Sequence, residues 1–182
     1  MILQRYTGYA EMRTNMDKKD NVNGISRKDM AMQNFLKGYN CTQSVLLAFE
    51  DLLPVENRKE IICMASSFGG GMGRLREVCG SVSGMFLVAG LLYGYEGPET
   101  GQKKTELYTR IQELAHKFEE QNGSIVCREL LGLNVKEEKP VPEARTSEYY
   151  KKRPCKELIG MAAGILEDFI NENMEDNTCR QQ

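Results

Sequence analysis

Cysteine is the residue type with the most chemistry to offer here, and it occurs six times: Cys41, Cys63, Cys79, Cys127, Cys155 and Cys179. A deprotonated cysteine is both a nucleophile and a soft metal ligand. Residues 1–16 carry Arg5, Glu11 and Arg13 and lack the apolar stretch of a secretory signal, so the expected location is cytoplasmic. The cytosol keeps most thiols reduced. Metal binding, redox chemistry or plain burial are therefore the expected uses, in preference to a disulfide framework.

What the thiols can do depends on the elements that hold them. Ser26 reads as the N-cap of a first helix that places Met30, Phe35 and Leu36 on one face and ends at Gly38. Asn40, with Gln43 three residues on, reads as a capping box for a second helix carrying Val45, Leu46 and Phe49. Pro54 suits the first position of a third helix, with Ile61, Ile62 and Met64 as its apolar members. The run Gly69-Gly-Gly-Met-Gly73 interrupts the chain. A fourth helix is expected from about Glu77 to Tyr93, apolar on nearly every side and dotted with Gly80, Ser81, Ser83 and Gly84. Small residues four apart admit a close neighbour, which makes this the expected central helix.

Leu107, Ile111, Leu114 and Phe118 recur at helical spacing and define a fifth helix that Gly123 ends. Ser124 is expected to cap a short helix stopping at Gly132, and 134–148 to form a surface loop around Pro140 and Pro142. The last helix starts near Pro154 and carries Leu158, Ile159, Ala162, Ile165, Leu166, Phe169 and Ile170. With little period-2 alternation, the fold class is all-α: a single-domain bundle of six to seven helices around a central apolar one. The domain spans 26–173, after a polar leader over 1–25 and before a frayed tail over 174–182. Met16 is an alternative start to Met1.

Set on this map, Cys41 follows the cap Asn40, Cys79 opens the central helix, Cys127 lies three residues past Ser124, and Cys155 follows Pro154. All four fall in the first turn of a helix. Unpaired N–H groups and the positive end of the helix dipole favour an anion there, which predicts lowered thiol pKa values. Arg74, Arg76, Arg128, Arg153 and Lys156 lie close by in sequence and push the same way. Cys63, beside Ile62 and Met64, reads as core filler, and Cys179 as a tail thiol.

Other chemistry is weaker. The glycine run lacks the Lys-Ser/Thr ending of a phosphate-binding loop and follows a helix, so it reads as a tight backbone passage beside Cys79. His116, the only histidine, and the group Glu113, Glu119 and Glu120 read as solvated helix positions. Ten methionines at scattered positions fit core use better than copper binding. With 24 basic and 26 acidic residues the net charge is -2, which argues against electrostatic nucleic-acid binding. The most apolar window, Met85 to Tyr93, is far shorter than the roughly 20 residues a membrane span needs.

Five segments taken together carry a resemblance. They are Gly38-Tyr-Asn-Cys41-Thr-Gln-Ser-Val45, Ser67-Phe-Gly-Gly-Gly-Met-Gly73, Val78-Cys-Gly-Ser-Val-Ser-Gly84, Ser124-Ile-Val-Cys127-Arg-Glu-Leu-Leu-Gly132 and Arg153-Pro-Cys155. In this order they resemble the C_GCAxxG_C_C family of redox-active four-cysteine proteins, over roughly residues 26–172. The resemblance selects Cys41, Cys79, Cys127 and Cys155, the same four as the helix argument. Ser81 departs from it, standing where the family motif has alanine. A similar domain in split-Soret cytochromes is associated with an iron–sulfur cluster. The resemblance further implies an unidentified redox partner and association with a transporter system.

Three uses of four thiols follow. An iron–sulfur cluster for electron transfer is the first expectation, since clusters are commonly held by four cysteinates. Thiol–disulfide exchange is the second. A non-catalytic metal-binding or sensing module, with structural zinc, is the third, weakened because zinc sites favour close pairs and the gaps here are 38, 48 and 28 residues. With no Cys-x-x-Cys-His, covalent haem is not expected.

Overall fold

Caps and glycines decide where this chain turns. The computed structural model describes residues 24–52, 58–95, 97–98, 101–134 and 139–179, with side chains as far as residue 173. The leader over 1–23, the alternative start at Met16 and the role of Pro54 lie outside the described residues. Ser26 caps α1 (Arg27–Leu36) by accepting a hydrogen bond from the Asp29 N–H. Asn40 caps α2 (Cys41–Ala48) through the expected reciprocal box with Gln43. There follow α3 (Arg58–Ser66), α4 (Gly80–Tyr93), α5 (Gln102–Asn122), α6 (Cys127–Leu130), α7 (Ser147–Lys152) and α8 (Cys155–Cys179). The protein is an all-α single domain, with eight α-helices among the described residues where six to seven are expected.

The core lies where α8 crosses α1 and α2 while α4 packs on α2, α5 and α8. Phe35, Phe49, Phe118 and Phe169 are fully buried in it, each contributing about 1.5–3 kcal/mol of transfer free energy. Val82, Met85, Val88 and Ala89 of α4 are wholly shielded, in line with its expected central place. Its small residues set the spacing: a Cβ on Gly84 would stand 2.7 Å from the Cβ of Val45 on α2. Beside it the Thr42 hydroxyl donates to the Gly80 carbonyl at 2.8 Å. Charge is buried as well, on Arg27 and Arg76. Arg27 donates to the Ala48 carbonyl at 2.7 Å, pairs with Asp51 and stacks over Phe49.

Several expectations are corrected. Leu36 and Met64 are exposed, at 52 % and 64 %, and so is Cys63, which is not core filler. The reason for the last two is that α3 packs by one face only, with Ala65 its sole buried residue. The fourth helix begins at Gly80, not Glu77, because Val78 pairs in an antiparallel bridge with Val126. Ser124 does not cap α6. Its hydroxyl accepts from the Val126 N–H and bonds Glu129, and Val126 itself precedes the helix. The 134–148 loop gives way to α7 at Ser147, where Thr146 accepts from the Tyr149 N–H. Helix α8 extends to Cys179.

Candidate functional site

The four singled-out cysteines come from four different elements and line one cavity of about 440 Å³. Cys41 is the first residue of α2, Cys127 of α6 and Cys155 of α8, while Cys79 is the N-cap of α4. Cys79 and Cys127 are buried; Cys41 and Cys155 are half-buried. Cys63 does not line the cavity, and the side chain of Cys179 lies outside those described. All five cysteines with described side chains are free thiols.

Backbone pairing holds two of the sulfurs together. The Cys79 N–H donates to the Ile125 carbonyl at 2.8 Å and the Cys127 N–H to the Glu77 carbonyl at 2.6 Å, on either side of the Val78–Val126 bridge. Arg128, on α6, pairs with Glu77 at 2.9 Å and does not line the cavity, so it braces this junction. On the other side, Cys41 and Cys155, both half-buried, line the same cavity together with Gly70.

The glycine run supplies the close fit. Residues 70–74 all have positive φ, from +62° to +71°, and Arg76 follows at +61°. This left-handed turn is natural for Gly70, Gly71 and Gly73. Met72, Arg74 and Arg76 carry side chains in it at about 1–2 kcal/mol each. Its partner is not the one expected: a Cβ on Gly71 would meet Cys127, while Gly80, after Cys79, is the residue that lies against Cys41. The turn aims Arg76, only 3 % exposed, so that its Nη1 stands 3.7 Å from the Cys127 sulfur. Ser81, the departure from the motif, puts its Oγ 3.1 Å from the Cys79 sulfur.

For Cys41, Cys79 and Cys127 the acidity runs opposite to expectation. Cys41 is raised well above the usual thiol range, first by the neighbouring Cys155 thiol and then by burial, with Gly70 and Arg145 opposing. Burial pushes Cys79 up to about 12, with a further push from Cys41 and opposition from Ser81. Burial also raises Cys127 against the pull of Arg76. Loss of water and mutual repulsion between sulfurs outweigh the helix ends and arginines.

Sequence reasoning missed the outer wall. Glu143, Arg145 and Tyr149 line the cavity together with Arg74 and Arg153. Arg145 donates to the Phe35 carbonyl at 2.8 Å and covers the Phe35 ring, while Arg153 covers Tyr149. Burial raises the Tyr149 phenol, reinforced by Cys155 and Cys41. The signal for this wall was Thr146 ahead of Glu148, Lys151 and Lys152, a cap with charges matched to a helix dipole. His116, Glu113, Glu119 and Glu120 are exposed on α5, as expected.

Among the described residues no helix is long and apolar enough to cross a membrane, and no group of three or more His, Cys, Asp or Glu side chains converges as the ligands of one ion do. No curated protein and no solved structure matches the chain. A family match does cover residues 39–169, holding all four cavity cysteines, and the chain accordingly belongs to the C_GCAxxG_C_C family, described as "Putative redox-active protein".

Proposed function

We propose that the cavity is an electron-transfer site in which Cys41, Cys79, Cys127 and Cys155 hold an iron–sulfur cluster. The observation that carries this reading is the meeting of four cysteines from four elements around one cavity of about 440 Å³. The donor set fits the group: four thiols whose charged forms repel one another are stabilised by cationic iron between them. Four ligands from four elements, 38, 48 and 28 residues apart, suit a cluster better than a structural zinc site, which favours close pairs. A bound cluster supplies a centre that takes up and releases electrons at a potential set by its surroundings. The chain's part is to steady negative charge on sulfur. The Gly70 N–H does so at Cys41, the Ser81 hydroxyl at Cys79 and the Arg76 guanidinium at Cys127.

A second reading has its own observation: the half-buried Cys41 and Cys155 line the same cavity, and Cys155 is the group that acts most strongly on the Cys41 thiol. In it these two sulfurs form a bond, and their two electrons and two protons pass to a disulfide of a partner, which leaves as two thiols. Anaerobic purification with iron, sulfide and zinc analysis and an absorption spectrum separates the readings. Iron with equivalent sulfide and visible bands supports the cluster. A metal-free protein whose thiols titrate reversibly supports exchange, and stoichiometric zinc defeats both in favour of a structural metal module.

A further inference from the structure

The mouth of the thiol cavity has a charge the rest of the protein does not. Its lining holds four arginines, Arg74, Arg76, Arg145 and Arg153, against one acid, Glu143. The chain as a whole carries a net charge of -2. Two of these arginines converge on a single oxygen. Arg153 Nη2 lies 2.5 Å and Arg74 Nη2 3.8 Å from Glu143 Oε1. They reach it from distant parts of the sequence, one from the left-handed turn and one from the residue before Pro154. Both guanidinium side chains are largely buried, at 17 % and 13 % exposure, whereas the Glu143 side chain is 48 % exposed.

We propose that this mouth is a receptor for a small anion, a carboxylate or an inorganic oxyanion, which takes the place of the Glu143 carboxylate against Arg153 and Arg74. The carboxylate already there shows the chemistry the pair accepts: two guanidinium groups facing one anionic oxygen. Glu143 is easily displaced. It stands between Pro142 and Ala144 in a stretch without helix or strand, and an ion pair to a half-exposed carboxylate adds little to stability. Arg74 keeps its position without it, since its Nε donates to the Lys139 carbonyl at 2.7 Å. Arg153 likewise stays stacked over Tyr149. The seat adjoins the sulfurs, because Arg153 lies two residues before Cys155 and Arg74 lies in the turn that packs on Cys127. An anion bound there stands beside the redox centre. The receptor stands whichever of the two redox readings holds.

Calorimetric titration of the full-length protein with sodium sulfate and with sodium succinate, at an ionic strength fixed by sodium chloride, tests this. The expected result is saturable one-to-one binding of at least one probe. Glu143→Gln should tighten it by up to about fivefold, the effect of removing one exposed ion pair. Arg153→Gln should weaken it beyond detection, and Arg153→Lys should restore part of it with the fold intact by circular dichroism. The proposal is overturned if neither wild type nor Glu143→Gln binds either probe, or if Arg153→Gln binds as well as wild type. The metal content of the same preparation reports separately on the cluster.

Discussion

A Cβ built on Gly71 stands 2.6 Å from the Cβ of Cys127, closer than two unbonded carbons approach. Gly71 also has φ +70°, so alanine there meets a clash and a backbone penalty together. Gly73, at φ +67°, has open space around its Cβ and meets only the second. Gly71→Ala should destabilise the protein by about 2–4 kcal/mol and Gly73→Ala by about 1 kcal/mol. Urea denaturation of both variants checks the order, and equal midpoints would contradict the close approach.

Serine in place of Cys41, Cys79, Cys127 or Cys155 should abolish cluster content or reversible thiol titration. Cys63→Ser, at an exposed position, should leave both intact and change stability by less than about 0.5 kcal/mol. Equal damage from all five variants would show that the cavity does not define the redox set.

The raised thiols give a pH dependence with a definite sign. In the metal-free protein Cys79 stays protonated up to about 12, whereas its unfolded counterpart ionises near 8.5. Between those values the folded state binds more protons, so stability falls as pH rises through this window. Cys41 and Cys127 are raised too and act in the same direction. Thermal melts of metal-free protein from pH 7 to 11 should show the fall, and the Cys79→Ser variant should show less of it.

Removing the guanidinium at Cys127 should make the centre harder to reduce, because a positive charge favours the electron-rich state. Arg76→Met should lower the midpoint potential by a few tens of millivolts, with Arg76→Lys in between. Spectroelectrochemical titration of the three proteins provides the comparison, and an unchanged potential in Arg76→Met would remove Arg76 from a tuning role.

Arg27→Ala leaves the half-shielded Asp51 without its guanidinium and the Ala48 carbonyl without its donor. A loss of about 1–3 kcal/mol is expected, chiefly from the buried Ala48 carbonyl left without its donor. A chemical denaturation midpoint within error of wild type would refute it.

How much of this was legible beforehand depends on whether the determining interaction is local. The Ser26 cap and the Asn40–Gln43 box are contacts across three residues, and both were readable. The positions of Cys41 and Cys155 at helix starts followed from such signals. The Val78–Val126 bridge joins residues far apart in sequence, and no local pattern announces it. For the same reason Arg145 escaped notice: it is held at the cavity by the carbonyl and ring of Phe35, 110 residues away in the chain. Cys63 misled because apolar neighbours suggest burial, while exposure depends on which face of α3 finds a partner. The direction of the thiol shifts was misjudged on similar grounds, since helix ends can be read from sequence and burial depth cannot.

The exchange of backbone hydrogen bonds between 77–79 and 125–127 has a mechanical consequence. It fastens the backbones of Cys79 and Cys127 to one clasp, and Gly80, next to Cys79, seats that clasp directly against Cys41, while α8 packs on both α2 and α4. The four sulfur-bearing backbones thus belong to one connected frame, in which a shift at any one is passed to the others.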